Sequence, residues 1–106
     1  MIDESTIRKV ANILLAATPS GSQVILFGSY ARGQADSRSD LDFLVVEPHV
    51  QDLAAEMVRL RRTLRGMVLP IDVIVQSRQR FDYWKDTPNT LAHRAVKEGK
   101  IYEQIA

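Results

Sequence analysis

Helical and strand patterns alternate along the chain, and this alternation constrains its fold more than any other feature of the sequence. Apolar residues recur at helical spacing from Ile7 to Ala17, and Asp3 or Ser5 is placed to cap that helix. Short apolar runs bounded by turn residues then alternate with further helical stripes. The predicted order is helix, strand, helix, strand, helix, strand, helix. We therefore expect an α/β (α+β) chain in which helices cover a small sheet.

The boundaries of these elements follow from turn and breaker residues. Strands are predicted over 24–27, 40–46 and 69–75, with a short helix over 30–34 and a longer helix from Leu53 to Leu64. The remainder is predicted to be mostly helical, with a break near Thr87-Pro88 and a last helix from Leu91 to Glu98. The segment Ile101-Tyr102 follows that helix.

Size and composition restrict the class of protein. With 106 residues, 45% of them hydrophobic and 25% charged, the chain is expected to form one globular domain over 1–106. Cysteine is absent from the sequence, which excludes disulfides and thiolate metal sites. The longest apolar runs have four or five residues, far fewer than the ~20 that span a bilayer. Without a signal-peptide pattern, a cytoplasmic protein with no membrane partner is expected. The net charge of +1 gives no reason to expect direct nucleic-acid binding.

Three aspartates mark the second and third predicted strands. Asp40 and Asp42 are two residues apart, so their side chains leave the same face of the strand, while Leu41 and Phe43 point to the other face. Asp72 lies inside the third strand, where aspartate is rare. Converging carboxylates repel one another, and a divalent cation with hard oxygen ligands, Mg²⁺ or Mn²⁺, removes that conflict. Taken singly, an aspartate at a strand end such as Asp40 is usually a turn or cap residue, and Asp72 could be a charged strand edge that deters aggregation.

A glycine turn follows the first predicted strand. Gly28 allows the backbone to approach a ligand closely, and the next amides can face an anion. Ser29 adds a hydroxyl, and Arg32 adds a planar donor suited to phosphate. An ordinary glycine turn with a capping serine is the alternative. Combined with the three aspartates, the turn indicates metal-dependent phosphoryl or nucleotidyl transfer.

These residues also carry a family resemblance. Gly28-Ser29, ten further residues and Asp40-Leu41-Asp42 resemble the signature of the DNA polymerase beta-like nucleotidyltransferases. The longer run GSYARGQADSRSDLDFLVV is similar to the minimal nucleotidyltransferase branch, the MntA-type antitoxins of HEPN toxins.

The resemblance implies a nucleotidyltransferase fold with a small mixed three-stranded sheet flanked by about four helices. It implies that Gly28 and Ser29 contact the nucleotide phosphates, with Arg32 in the matching turn. Asp40, Asp42 and Asp72 would bind two Mg²⁺ ions, with Mn²⁺ as an alternative. The implied reaction transfers AMP from ATP to a tyrosine of a cognate HEPN toxin, in a hetero-oligomer with that toxin.

Other interpretations remain open at this stage. The chain could neutralise a toxin by binding alone, or it could modify a small molecule or RNA together with a helical subunit. The arginines in and just after the predicted helix from Leu53 to Leu64 are interpreted as a solvated face, although they could grip RNA or an acidic partner. They are Arg59, Arg61, Arg62 and Arg65. Tyr30 lies next to the turn and is expected to pack rather than to be modified.

Overall fold

A computed structural model describes residues 1–103, and within them the chain forms four helices and four strands. In chain order the elements are α1 (Glu4–Ala16), β1 (Gln23–Phe27), β2 (Leu41–Glu47), α2 (Leu53–Thr63), β3 (Ile71–Ser77), α3 (Arg78–Trp84), α4 (Leu91–Glu98) and β4 (Lys100–Glu103). This confirms the α/β class. The predicted alternation holds only in part, because β2 follows β1 with no helix between them and a fourth strand follows α4. None of the helices in this part of the chain has the length and apolar character needed to span a membrane.

Each helix is preceded by an N-cap residue whose side chain accepts a hydrogen bond from a backbone amide of the first turn. The N-cap of α1 is Asp3, which accepts from the Thr6 amide at 2.8 Å. Asp52, Ser77 and Thr90 cap the other helices in the same way. Such caps satisfy amides that have no partner within the helix, and each contributes about 1 kcal/mol.

The sheet is mixed and has the strand order β3-β2-β1-β4. Strand β1 runs antiparallel to both β2 and β4, whereas β2 and β3 are parallel and are joined through α2. The beginnings of β2 and β3 therefore lie at the same edge of the sheet as the end of β1. This edge is where the predicted site residues converge.

Apolar side chains cover both faces of the sheet. On one face, α1 and α2 pack over residues such as Phe43, which is completely buried. On the other face, Phe81 of α3 and Ala92 and Ala95 of α4 pack over residues such as Leu44. Burying one such large side chain contributes about 1.5–3 kcal/mol.

The sheet has one strand more than the three expected. Strand β4 pairs with β1 over Lys100–Glu103, so the Ile101-Tyr102 segment completes the sheet. Gly99 allows this, because a Cβ at this position would overlap with the Ala95 carbonyl oxygen and Ile25. The chain can therefore pass from α4 into an edge strand without a gap. The third strand also begins later than predicted, at Ile71, directly after Pro70.

Candidate active site

The turn after β1 is built around Gly28. Its φ of +80° is unfavourable for any residue with a side chain. The prediction of a helix over 30–34 was wrong, because this segment forms turns. The Gln34 amide donates to the Ser29 carbonyl at 2.9 Å and the Gly33 amide to the Tyr30 carbonyl at 3.4 Å. With Gly33 at φ +71°, this is the hydrogen-bond pattern that ends helices, so the helix stops after one turn.

Asp42 lies beside this turn. It is the second residue of β2 and is opposite Phe27 on one side and Asp72 of β3 on the other. A Cβ added to Gly28 would overlap with Asp42 Oδ2, so the side chain of Asp42 rests against the turn. Asp40 precedes β2 and is exposed. The structure thus places the turn and the predicted carboxylates at one edge of the sheet.

The carboxylates influence one another. Burial raises the pKa of Asp42, and the negative charges of Asp72 and Asp40 raise it further. Arg94 and Arg32 oppose this effect. A cation bound near Asp42 would therefore stabilise its ionised form.

Asp72 is paired with Arg61 of α2. The Arg61 guanidinium donates to Asp72 Oδ1 at 3.0 Å and to the Val73 carbonyl at 3.1 Å. The Asp72 side chain is 48% exposed, so its carboxylate is in contact with solvent although the residue lies within a strand. Arg61 is exposed, as the solvated face predicted from the sequence requires, and its guanidinium also reaches the start of β3. The other α2 arginine with a defined contact, Arg59, pairs with Glu56 and with the Ala17 carbonyl.

The donor set can be compared with what a metal ion needs. Within residues 1–103, no three acidic or histidine side chains form a group that could hold a metal ion as they stand. Asp42 and Asp72 are nevertheless opposed in register, and their mutual repulsion is of the kind that a divalent cation relieves. Their oxygen ligands suit Mg²⁺ or Mn²⁺, so the chemistry of the donor set fits these ions. Metal binding at Asp40, Asp42 and Asp72 remains a prediction.

Glu98, at the end of α4, contacts the same turn and was not identified from the sequence. Its Oε2 accepts from the Gly28 backbone amide at 2.7 Å and from the Arg32 guanidinium at 2.8 Å. Its Oε1 lies 3.7 Å from Arg94 Nε. The contacts with Gly28 and Arg32 join residues 70 and 66 positions apart, so no local motif could have indicated them. Tyr30, by contrast, fits its predicted packing role, because it contacts the core and its hydroxyl accepts from the Ile2 amide at 3.2 Å.

Comparison with solved structures identifies the fold. A toxin–antitoxin crystal structure with AMP-PNP is 22% identical, with a TM-score of 0.63, over 97% of this chain and 75% of that chain. A putative nucleotidyltransferase from Sulfolobus solfataricus is 23% identical, with a TM-score of 0.61, over 91% and 75% of the two chains. A variant of the toxin–antitoxin MntA-HpeT is 22% identical, with a TM-score of 0.62, over 98% and 75%. The fold of the chain is a nucleotidyltransferase fold.

Sequence comparison gives the family. The model of the nucleotidyltransferase domain matches residues 7–102, which is most of the chain. The chain therefore belongs to the nucleotidyltransferase domain family. No curated protein sequence matches it.

Proposed function

We propose that the chain transfers AMP from ATP to a tyrosine of a HEPN-type toxin and thereby neutralises that toxin. The observation that carries this proposal is the register of β2 and β3, which sets Asp42 opposite Asp72 next to the Gly28 turn. Nucleotidyl transfer requires a turn that can bind phosphate beside carboxylates that can hold a metal ion. Membership of the nucleotidyltransferase domain family supports the same reaction type.

In this proposal the turn holds the triphosphate. Gly28 has no side chain, so a phosphate can come close to the backbone, and Ser29 supplies a hydroxyl that can donate to a phosphate oxygen. Arg32 supplies a guanidinium next to the same turn. These donors would orient ATP with its α-phosphate toward Asp42.

The carboxylates would hold the metal. Asp40, Asp42 and Asp72 would bind Mg²⁺, which supplies positive charge for the phosphates and the leaving group. Arg61 contacts only Oδ1 of Asp72, so the second carboxylate oxygen, Oδ2, could bind the metal while Arg61 stays in place.

The reaction is an in-line displacement at the α-phosphorus. The tyrosine oxygen forms a bond to that phosphorus, the bond to pyrophosphate breaks, and pyrophosphate leaves with the electron pair. The tyrosine proton passes to Asp72 or to solvent. The products are AMP–tyrosine and pyrophosphate.

A separate protein fits the acceptor role. Asp40 is exposed and Asp72 is half exposed, so the carboxylates lie where a protruding loop of a partner can reach them. Two of the structurally similar proteins are described as toxin–antitoxin assemblies, one of them with AMP-PNP. An attached AMP adds charge and bulk at the modified tyrosine and can inactivate the toxin after the two proteins separate.

Incubation with α-labelled ATP and Mg²⁺ tests the proposal. The reaction contains the product of a neighbouring gene that encodes a small helical protein with an Arg-x4–6-His motif, and parallel reactions contain total RNA or no acceptor. We expect label on the partner protein with the parent chain and none with Asp42→Asn. Label on RNA would favour an RNA substrate. Inhibition of the toxin without any label would favour an antitoxin that works by binding alone.

A further inference from the structure

The carboxylate of Glu98 occupies the donors that the proposed function assigns to phosphate. The Gly28 amide and the Arg32 guanidinium both donate to Glu98 Oε2, at 2.7 and 2.8 Å. A carboxylate oxygen offers these donors the same negative acceptor that a phosphate oxygen would offer. Only 18% of the Glu98 side chain is exposed, so it sits in the turn rather than in solvent.

The position of Glu98 is not explained by helix stability. It is the last residue of α4, where the helix dipole disfavours negative charge. The Gly28 amide and Arg32, which lie outside α4, compensate this charge at 2.7 and 2.8 Å. Arg94, one turn earlier in α4, lies farther away, at 3.7 Å. The contact with the turn is therefore the interaction that holds the Glu98 side chain at this place.

Arg94 is a second cation at the same turn. Its guanidinium carbon lies 5.6 Å from the centre of the ring of Phe27, the residue that precedes Gly28. Its Nε lies 3.7 Å from Glu98 Oε1. It also acts electrostatically on Asp42. Half of its side chain is exposed, so it is accessible to a ligand. We name the Gly28 amide, the Arg32 guanidinium and the Arg94 guanidinium the anion cradle.

We propose that Glu98 is an internal competitor that fills the anion cradle until a triphosphate displaces it, and that Arg94 is a further phosphate-binding residue. Two guanidinium groups face one carboxylate in the cradle, which leaves an excess of positive charge for a polyanion. Release of Glu98 frees both arginines at once. This inference rests on the proposed function, because it names residues that hold the phosphates of the same nucleotide.

A purely architectural role for Glu98 predicts the opposite effect on binding. If Glu98 only keeps the turn in shape, its substitution weakens binding of the phosphates. If Glu98 competes with them, its neutralisation strengthens their binding. Glu98→Gln separates the two cases, because the amide oxygen of glutamine can still accept from the Gly28 amide while the charge is lost.

Binding to the anion cradle can be measured by calorimetry with inorganic tripolyphosphate, at constant ionic strength and Mg²⁺ concentration. This ligand has no base and no sugar, and its binding involves no AMP transfer. We expect Glu98→Gln to bind tripolyphosphate about three- to tenfold more tightly than the parent, and Arg94→Gln to bind it more weakly by a similar factor. Arg8→Gln is a matched control, because Arg8 also lies 3.7 Å from a glutamate four residues away, Glu4, and 5.7 Å from an aromatic ring, that of Tyr102, although the order of the two charges is reversed. Glu4→Gln controls for the loss of one negative charge. Both controls should bind like the parent.

Equal or weaker binding by Glu98→Gln would overturn the competitor role, and unchanged binding by Arg94→Gln would overturn its role in the cradle. Absence of tripolyphosphate binding in every preparation would overturn both. Transfer of α-labelled AMP by the parent is assayed separately. A chain that transfers AMP but shows no gain with Glu98→Gln refutes only this inference. A chain that shows the gain but transfers nothing refutes only the proposed function.

Discussion

Asp42 and Asp72 are directly opposed in the parallel ladder between β2 and β3. Each is the second residue of its strand, so both stand at the sheet edge where β1 ends in the Gly28 turn. The two carboxylates are not equivalent. Burial and like charges raise the pKa of Asp42, whereas Asp72 is half exposed and paired with Arg61. The opposed pair is the basis of the proposed metal-dependent reaction.

Asp42→Asn should abolish nucleotidyl transfer while leaving the protein folded. The substitution removes a proposed metal ligand, which should lower the rate by about 100-fold or more. It also removes repulsion from Asp72 and Asp40, so we expect no loss of thermal stability. Transfer of labelled AMP and thermal unfolding followed by circular dichroism check both points. Asp82→Asn, which alters an exposed carboxylate of α3, should leave transfer unchanged. Normal transfer by Asp42→Asn would remove Asp42 from the site.

Gly28→Ala should damage the site more than Gly33→Ala, although both glycines have positive φ, +80° and +71°. Each substitution strains the backbone by roughly 1 kcal/mol or more. At position 28 the new methyl group would also overlap with Asp42 Oδ2. At position 33 the new methyl group would have no neighbouring atom within 4 Å. Urea unfolding measures the strain, and labelled AMP transfer measures the effect on Asp42. Equal loss of transfer in the two variants would contradict the contact between the turn and Asp42.

Arg61→Gln should increase affinity for Mn²⁺. In the parent, Arg61 neutralises Asp72 through the 3.0 Å hydrogen bond to its carboxylate. Removing that cation leaves Asp72 free to bind metal, and we expect calorimetry to show binding tighter by roughly three- to tenfold. Arg62→Gln removes the neighbouring exposed arginine and serves as the control. Unchanged Mn²⁺ affinity in Arg61→Gln would argue against Asp72 as a metal ligand.

Glu47 should make stability depend on pH. It is buried at the end of β2, and burial together with the neighbouring Glu56 raises its pKa to about 8. Above its ordinary pKa of 4.5, the unfolded chain has lost this proton while the folded protein retains it. The free energy of unfolding should therefore fall as pH rises from 4.5 to about 8, by up to about 1.4 kcal/mol per pH unit.

Urea unfolding at pH 5.5 and 8.5 measures this effect. Glu47→Gln cannot lose the proton, so its stability should fall less over this interval than that of the parent. Asp86→Asn, which alters an exposed carboxylate, should follow the parent. Parallel curves for the parent and Glu47→Gln would show that Glu47 does not titrate in this range.

Local patterns were sufficient to predict most of the fold. The apolar alternation placed Phe43 in the core, as the structure confirms. The helix from Leu91 to Glu98 has the predicted boundaries. Strand β4 was missed because it has only four residues and pairs with β1, which is distant in sequence.

The missed parts of the site depend on contacts between distant segments. Arg61 has the pattern of an exposed helical residue, and only the packing of α2 against β3 brings it to Asp72. Glu98 reaches Gly28 because α4 packs against β1, which no spacing rule indicates. The prediction of a helix over 30–34 was wrong for a local reason, because Gly33 ends the helical turn at once.

Mass spectrometry of the partner toxin tests the proposed nucleotidyl transfer most directly. The toxin is incubated with the chain, ATP and Mg²⁺, and is then purified away from the chain before its activity and mass are measured. We predict an inactive toxin that carries one or more AMP units on a tyrosine, and an unmodified, active toxin when Asp42→Asn replaces the parent. A toxin that has no added mass and is inhibited only while the chain is bound would contradict nucleotidyl transfer as the mechanism.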